Sequence, residues 1–281
     1  MIRVKKVNNQ VVKPVKFITG RGDDKRPIKG ADLFSEIYCN TYICARKKSG
    51  KSSVLFKIVK ECATKETTVI VFASTVDKDR IHIAIKKYCK MANIPYLGYT
   101  SMKEDDVDIL DTFIHKLQEE AKPKEDSDSE ADINESHPLI MFDDSDSEGE
   151  KKERKPKYKA PKYLIIFDDL SNELKSTNLT RLLKMNRHWE SKIFVSTQYV
   201  HDLPIQSIKQ CDYALIFRGQ PLDKLQKLYR DLDLSIDFEL FQQIYHSATQ
   251  EPYSFLYIDR NNDSFRRNFN YEYDLKNIKQ I

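Results

Sequence analysis

The runs Ile37–Cys44, Thr67–Ser74, Tyr163–Leu170, Lys192–Gln198, Asp212–Arg218 and Tyr253–Asp259 are dominated by β-branched, aromatic and aliphatic residues. Runs of that length with little polar alternation read as strands buried on both faces. Ile94–Tyr99 adds a shorter strand, and Tyr253–Asp259 turns back through a hairpin to Phe265–Phe269. Between these runs the apolar residues fall at helical spacing. Ser53–Ala63 puts Val54, Leu55, Ile58 and Val59 on one face. Asp77–Met91 turns Ile81, Ile85, Tyr88 and Cys89 inward, and Lys103–Ala121 does the same with Val107, Leu110, Ile114 and Leu117. Asn172–Trp189, with basic residues on its exposed side, Leu222–Leu232 and Phe238–His246 also read as helices, as does a short piece after Leu203-Pro204-Ile205. Strands alternating with helices predict an α/β fold, a mainly parallel sheet flanked by helices.

Two segments stand apart from this alternation. Residues 1–35 are polar, with short apolar pieces (Val11-Val12, Val15, Phe17-Ile18) and a turn cluster, GRGDDKRP. They read as an N-terminal extension that pairs a strand or two onto the main sheet, its Arg21-Gly22-Asp23 being a turn. Residues 122–162 interrupt the domain, which resumes over 163–281 and began over 36–121. This insertion carries DSDSE twice and then a basic, proline-containing tract, KKERKPKYKAPK. Low hydrophobicity and blocks of like charge predict disorder there. Ser127, Ser129, Ser145 and Ser147 each precede an acidic residue by three positions, the pattern acidophilic kinases prefer. A solvated surface insertion is the plainer reading of the same residues.

The insertion also alters the charge picture. The chain of 281 residues has a net charge of only +4, but Glu125–Glu150 holds 11 acidic residues and no Lys or Arg, leaving the remainder at +15. A folded part that basic is a candidate partner for a polyanion, although a Lys-, Tyr- and Asn-rich composition can also follow from an AT-rich genome. The 5 cysteines and 6 histidines are scattered without metal-ligand spacing. They read as core and surface residues of a reducing compartment rather than a zinc site or a disulfide frame. No signal peptide and no membrane segment are expected, since no apolar run reaches the required length.

The chemistry begins where the first strand ends. Ala45-Arg46-Lys47-Lys48-Ser49-Gly50-Lys51-Ser52-Ser53 lies between a buried strand and an amphipathic helix, the setting a phosphate-binding loop requires. Loop N–H groups and the positive end of the helix make an anion site; Lys51 would reach the β- and γ-phosphates and Ser52 would ligate Mg²⁺. Ala45 departs from the pattern G-x-x-x-x-G-K-[ST], where the first position is glycine. A bare GKS at a helix start also arises by chance; the flanking strand and helix are what favour the motif. The strand Tyr163–Phe167 ends in Asp168-Asp169, as a Walker B element does. There Asp168 would hold Mg²⁺ and Asp169 would polarise the attacking water. The alternative for an acidic pair before a helix is simple N-capping. A third strand ends in Thr197-Gln198, and a glutamine there can sense the γ-phosphate or orient water.

Lined up, the loop at 45–52, the Asp168-Asp169 pair and the strand ending at Gln198 resemble the FtsK/HerA superfamily of P-loop ATPases. Within it the chain is most similar to the poxvirus-type DNA-packaging ATPases of nucleocytoplasmic large DNA viruses. Three features carry the resemblance: a single helix between the Walker B strand and the glutamine strand, the Thr197-Gln198 ending, and Arg187 eleven positions before Gln198. The similarity spans about residues 37–217 without the insertion. It implies a RecA-like core in which the glutamine strand lies between the phosphate-loop strand and the Walker B strand. It implies ATP and Mg²⁺ as cofactors, with Lys51, Asp169, Gln198 and Arg187 as catalytic residues. It also implies a homo-oligomeric ring in which a neighbour's Arg187 completes each site. The implied partners are double-stranded DNA and capsid proteins, at a viral assembly site in the host cytoplasm or in the virion. Asp169 stands where many members carry glutamate.

Two other functions use the same nucleotide contacts. A P-loop nucleotide or small-molecule kinase would need an arginine-rich lid, for which only Arg266-Arg267 offers itself, and would leave the glutamine strand without a role. A nucleotide-gated assembly factor would bind ATP without turning it over. A GTPase is disfavoured by the lack of an N-K-x-D guanine-reading motif, and a two-core helicase by length and a single phosphate loop.

Overall fold

The computed structural model describes residues 26–104, 107–121 and 157–275. In chain order the elements are β1 (Asn40–Cys44), α1 (Lys51–Cys62), β2 (Thr68–Ala73), α2 (Arg80–Met91), β3 (Tyr96–Tyr99), β4 (Lys103–Glu104), β5 (Val107–Asp108) and α3 (Ile109–Ala121). Beyond residues 122–156 follow β6 (Tyr163–Asp168), a 3₁₀ turn (Ser171–Lys175), α4 (Thr177–Met185), β7 (Ser191–Thr197), α5 (Ile205–Ile208) and β8 (Tyr213–Phe217). The chain continues through α6 (Leu222–Leu232), α7 (Phe238–Ala248), β9 (Phe255–Asp259), β10 (Ser264–Arg267) and β11 (Tyr271–Glu272).

Nine strands form one sheet in the order β11-β10-β9-β8-β1-β7-β6-β2-β3. From β8 to β3 every pairing is parallel, and β9, β10 and β11 add an antiparallel edge. β7, which leads directly into Gln198, pairs with β1 on one side and with β6 on the other. That is the arrangement expected from the family resemblance. Every residue of β1, β6, β7 and β8 is buried. Helices on both faces of a parallel sheet make this inevitable and explain the near-continuous apolar runs.

The sheet divides the core in two. One face packs Phe72, Phe167, Leu179, Leu182 and Phe241 beneath α3, α4, α6 and α7. The other packs Leu55, Ile58, Phe194, Tyr213 and Tyr257 beneath α1 and α2. Phe34 is fully buried in this second layer, its ring 5.2 to 6.1 Å from those of Phe194, Tyr213, Tyr257 and Phe269. Burying such a side chain contributes about 2–3 kcal/mol, so the end of the N-terminal extension belongs to the folded core. At the other boundary, Lys159 bridges Ile28, and the Thr67 hydroxyl donates to the Pro161 carbonyl at 2.9 Å. Residues 157–162, read with the insertion, are therefore tied to the domain. The strands expected within residues 1–25 and the disorder expected over 122–156 lie outside the described residues.

Several expected helices start later than their periodicity suggested. Asp79 caps α2 by accepting from the Ile81 N–H, so residues 77–79 precede the helix. The helix expected from Lys103 starts at Ile109, because β4 and β5 pair as a small hairpin and Asp108 accepts from the Asp111 N–H. Asn172–Trp189 is broken at Ser176, whose hydroxyl accepts from the Asn178 N–H and opens α4. All 5 cysteines are buried and free, as expected of core residues. Among the described residues no group of His, Cys, Asp and Glu could hold a metal by itself, and no helix is long and apolar enough to cross a membrane.

Candidate nucleotide site

At the carboxyl edge of the parallel strands, β1 runs into a loop whose shape depends on two left-handed residues, Lys48 (φ 62°) and Gly50 (φ 93°). Ala45 is not one of them: it continues the strand, fully buried, with its N–H donating to the Thr197 carbonyl at 3.0 Å. A glycine is needed only where φ is positive or the backbone is crowded, so the departure from the motif at Ala45 costs the loop nothing. Gly50 meets both conditions. A Cβ built there would lie 3.3 Å from Tyr253.

α1 opens directly from Gly50 with no side-chain cap and no acidic residue in its first turn. Its first N–H groups have no intrahelical acceptor and its dipole is uncompensated, which leaves a positive end open to an anion. The hydroxyl of Ser49 is buried and makes no hydrogen bond to any described residue.

Lys51, the first residue of that helix, is only 8% exposed, and two carboxylates clasp it. Its Nζ lies 2.8 Å from Asp168 Oδ1 and 2.7 Å from Asp169 Oδ1. Burial, the largest influence on Lys51, lowers its pKa, but the two aspartates outweigh it and the ammonium is held above its ordinary value. Burial likewise raises the pKa of Asp168. It is outweighed by a hydrogen bond from His82 and by the charge and hydrogen bond of Lys51, so the carboxyl lies below its ordinary value.

Asp168 is the last residue of β6, and Asp169 leaves the strand in a left-handed conformation with φ 54°. Ser171 follows at φ 43°. Two such non-glycine residues within three positions store backbone strain, which here swings Asp169 out to face Lys51 while Asp168 stays buried.

His82 is the residue the sequence reading passed over. It is 1% exposed on α2, and its Nε2 lies 3.2 Å from Asp168 Oδ2. An ionised carboxylate only accepts, so Nε2 carries the proton and fixes the tautomer. Its place one turn before Ile85 and two before Cys89, both buried, was the available signal.

Gln198 follows β7 immediately and, with Arg46 and Lys47, lines a cavity of about 540 Å³ together with Tyr199, Gln220 and Lys224. It therefore stands beside the phosphate loop, as expected. Arg187 does not. It precedes β7, at the opposite edge of the sheet, 64% exposed, with its guanidinium 3.1 Å from Glu36 and 3.6 Å from Asp212. Within one subunit Arg187 cannot reach Lys51. The arginine pair considered for a kinase lid is also engaged elsewhere: Arg266 contacts Glu272 at 3.4 Å, and Arg267 contacts Glu251 at 3.5 Å.

No protein-family profile matches this chain, and no curated protein sequence does. Solved structures do match. The genome packaging NTPase B204 from Sulfolobus turreted icosahedral virus 2, in complex with AMP, is 16% identical, with 82% of this chain and 96% of that one covered and a TM-score of 0.51. Its AMPPCP complex gives 16% identity, coverage of 82% and 97%, and a TM-score of 0.50. The DNA-packaging ATPase B204 from Sulfolobus turreted icosahedral virus is 17% identical, with coverage of 81% and 95% and a TM-score of 0.50. At such identities the likeness is one of fold: a RecA-like P-loop NTPase core, spanning nearly the whole length of those chains.

Proposed function

We propose that this protein is an ATP-hydrolysing motor that translocates double-stranded DNA, working in a ring that packages a viral genome into capsids. The observation that carries the reading is the clasp of Lys51 between Asp168 and Asp169, at the mouth of an uncapped helix. It joins the phosphate-loop cation to both Walker B carboxylates. The likeness in fold to viral packaging ATPases supports the reading further.

Lys51 neutralises Asp168 across 2.8 Å. When a triphosphate occupies the loop N–H groups, Lys51 turns to its β- and γ-oxygens and gives up the carboxylates. Asp168, hydrogen-bonded by His82, and the Ser52 hydroxyl would then supply hard oxygen donors. That donor set suits Mg²⁺, which when bound neutralises charge on the β- and γ-oxygens. Asp169, released from Lys51, orients and polarises the attacking water. Gln198, just past the end of the strand between β1 and β6, senses whether a γ-phosphate is present and passes that state to the adjoining loops. Arg187, unable to reach its own site, acts on a neighbour's in a head-to-tail ring; such an arrangement closes without using the same patch twice. The basic surface left outside the acidic insertion contacts DNA phosphates.

The test is ATP turnover by the purified protein with and without duplex DNA. Hydrolysis stimulated by the duplex is expected. Turnover indifferent to DNA, with phosphate transferred to a small acceptor, would replace the motor with a kinase.

A further inference from the structure

A triphosphate held by the loop would have a direction on this sheet. Its γ end would lie toward Asp168, the last residue of β6, and Asp169 just after it, on the β7 side of β1. The nucleoside must then leave the loop on the other side, toward β8 and β9. β9 runs antiparallel to β8, pairing Phe255 with Phe217. The residues just before Phe255 are therefore at the same carboxyl edge as the phosphate loop.

Tyr253 stands there. Its side chain lies directly against Gly50, 3.3 Å from the position a Cβ would take, yet the residue is 70% exposed. It is held at φ 63°, a conformation that a bulky aromatic residue seldom adopts. A flat, exposed ring fixed in a strained conformation against the phosphate loop, on the side where a nucleoside must emerge, calls for a planar ligand. The contact also means that a side chain at position 50 would press on Tyr253.

We infer that Tyr253 is the stacking platform for the nucleobase of the bound nucleoside triphosphate. This rests on the phosphate-loop reading above and adds to it the residue that separates a nucleotide from bare polyphosphate. Stacking uses the π-face that every base possesses, so Tyr253 favours nucleotides over triphosphate without choosing strongly among bases.

The test compares the affinities of the full-length protein for ATP and for inorganic triphosphate, by calorimetry or competition. Tyr253→Asn removes the ring with a residue that tolerates positive φ, and Tyr253→Phe keeps the ring. Tyr253→Asn is expected to weaken ATP about 5- to 150-fold, the usual worth of a base–aromatic stack, and to leave triphosphate unchanged. Tyr253→Phe is expected to bind ATP as the native chain does. Unchanged ATP affinity in Tyr253→Asn overturns the inference. So does an equal loss for triphosphate, which would make the ring a brace for Gly50. If the native chain binds neither ligand and Lys51→Ala alters nothing, the phosphate-loop reading falls as well. That outcome is distinct from a failure of the base platform alone.

Discussion

Replacing Lys51 by methionine tests the electrostatics of the site before any nucleotide is added. Methionine keeps most of the apolar stem and removes the charge, so little of the effect is packing. Asp168 is then left 4% exposed, with the side chains of His82 and Ser196 as remaining hydrogen-bond donors. Unit charges 2.8 Å apart attract by roughly 6 kcal/mol at an effective dielectric near 20. The ammonium's own desolvation offsets part of that, and breaking a buried pair by removing one partner typically costs about 3–5 kcal/mol. Because His82 remains, we expect the lower end, about 3 kcal/mol. In a domain of this size that lowers Tm by about 6–12 °C. Asp168→Asn added to Lys51→Met should recover most of the loss, since the uncompensated charge is gone. The pH dependence follows from the lowered pKa of Asp168. Its contribution is present above the unfolded carboxyl value of about 4 and is lost as pH falls through the lower folded value. The gap in Tm between native and Lys51→Met protein should therefore narrow as pH falls from 7 to below about 4. Calorimetric melts of nucleotide-free protein across that range are the assay. Equal melting temperatures at pH 7, or no recovery in the double variant, would refute the clasp as a stabilising contact.

Three further outcomes are expected. Asp169→Asn should bind ATP and fail to turn it over, because it keeps the shape and loses the carboxylate; normal turnover would place water activation elsewhere. Arg187→Ala should bind ATP normally, since the residue lies at the far edge of the sheet, yet hydrolyse it poorly in the ring, an in-trans arginine being worth ~10³–10⁵ in turnover. Mixing it with Lys51→Ala subunits should restore some activity, because one mixed interface is complete; absence of rescue at every ratio would argue against a shared site. If the acidic tract competes with DNA for the basic surface, deleting Glu125–Glu150 should tighten DNA binding and steepen its salt dependence; an unchanged slope would make the tract passive.

Much of this was legible in the sequence, for a physical reason. Strands covered on both faces are largely apolar instead of alternating, and the apolar centres of β1, β6, β7 and β8 stand out for that reason, although polar residues such as Asn40, Lys192 and Ser196 are buried with them. The loop and the Asp168-Asp169 pair follow such strands directly, so their place at the carboxyl edge could be read from the order of the residues. What could not be read depends on tertiary proximity or on backbone sign. His82 reaches Asp168 across 86 positions in the chain. The left-handed conformation of Asp169, which separates its role from that of its neighbour, has no signature in residue type. Tyr253 reads as the first residue of a strand until its positive φ and its contact with Gly50 place it on the loop before β9. Arg187 stands out by its distance from Gln198, but only the sheet reveals that the chain keeps the two at opposite ends of β7. The start of α3 was displaced by Asp108, whose capping hydrogen bond outweighs the helical periodicity of Lys103–Val107.

Movement along DNA can be followed by strand displacement. A duplex carrying a short triplex-forming third strand is incubated with the protein and ATP, and release of the third strand is followed. A DNA translocase should release the third strand only while hydrolysing ATP, and Lys51→Ala and Asp169→Asn should each abolish release. ATP hydrolysis with the third strand left in place at every protein concentration would contradict the translocase reading.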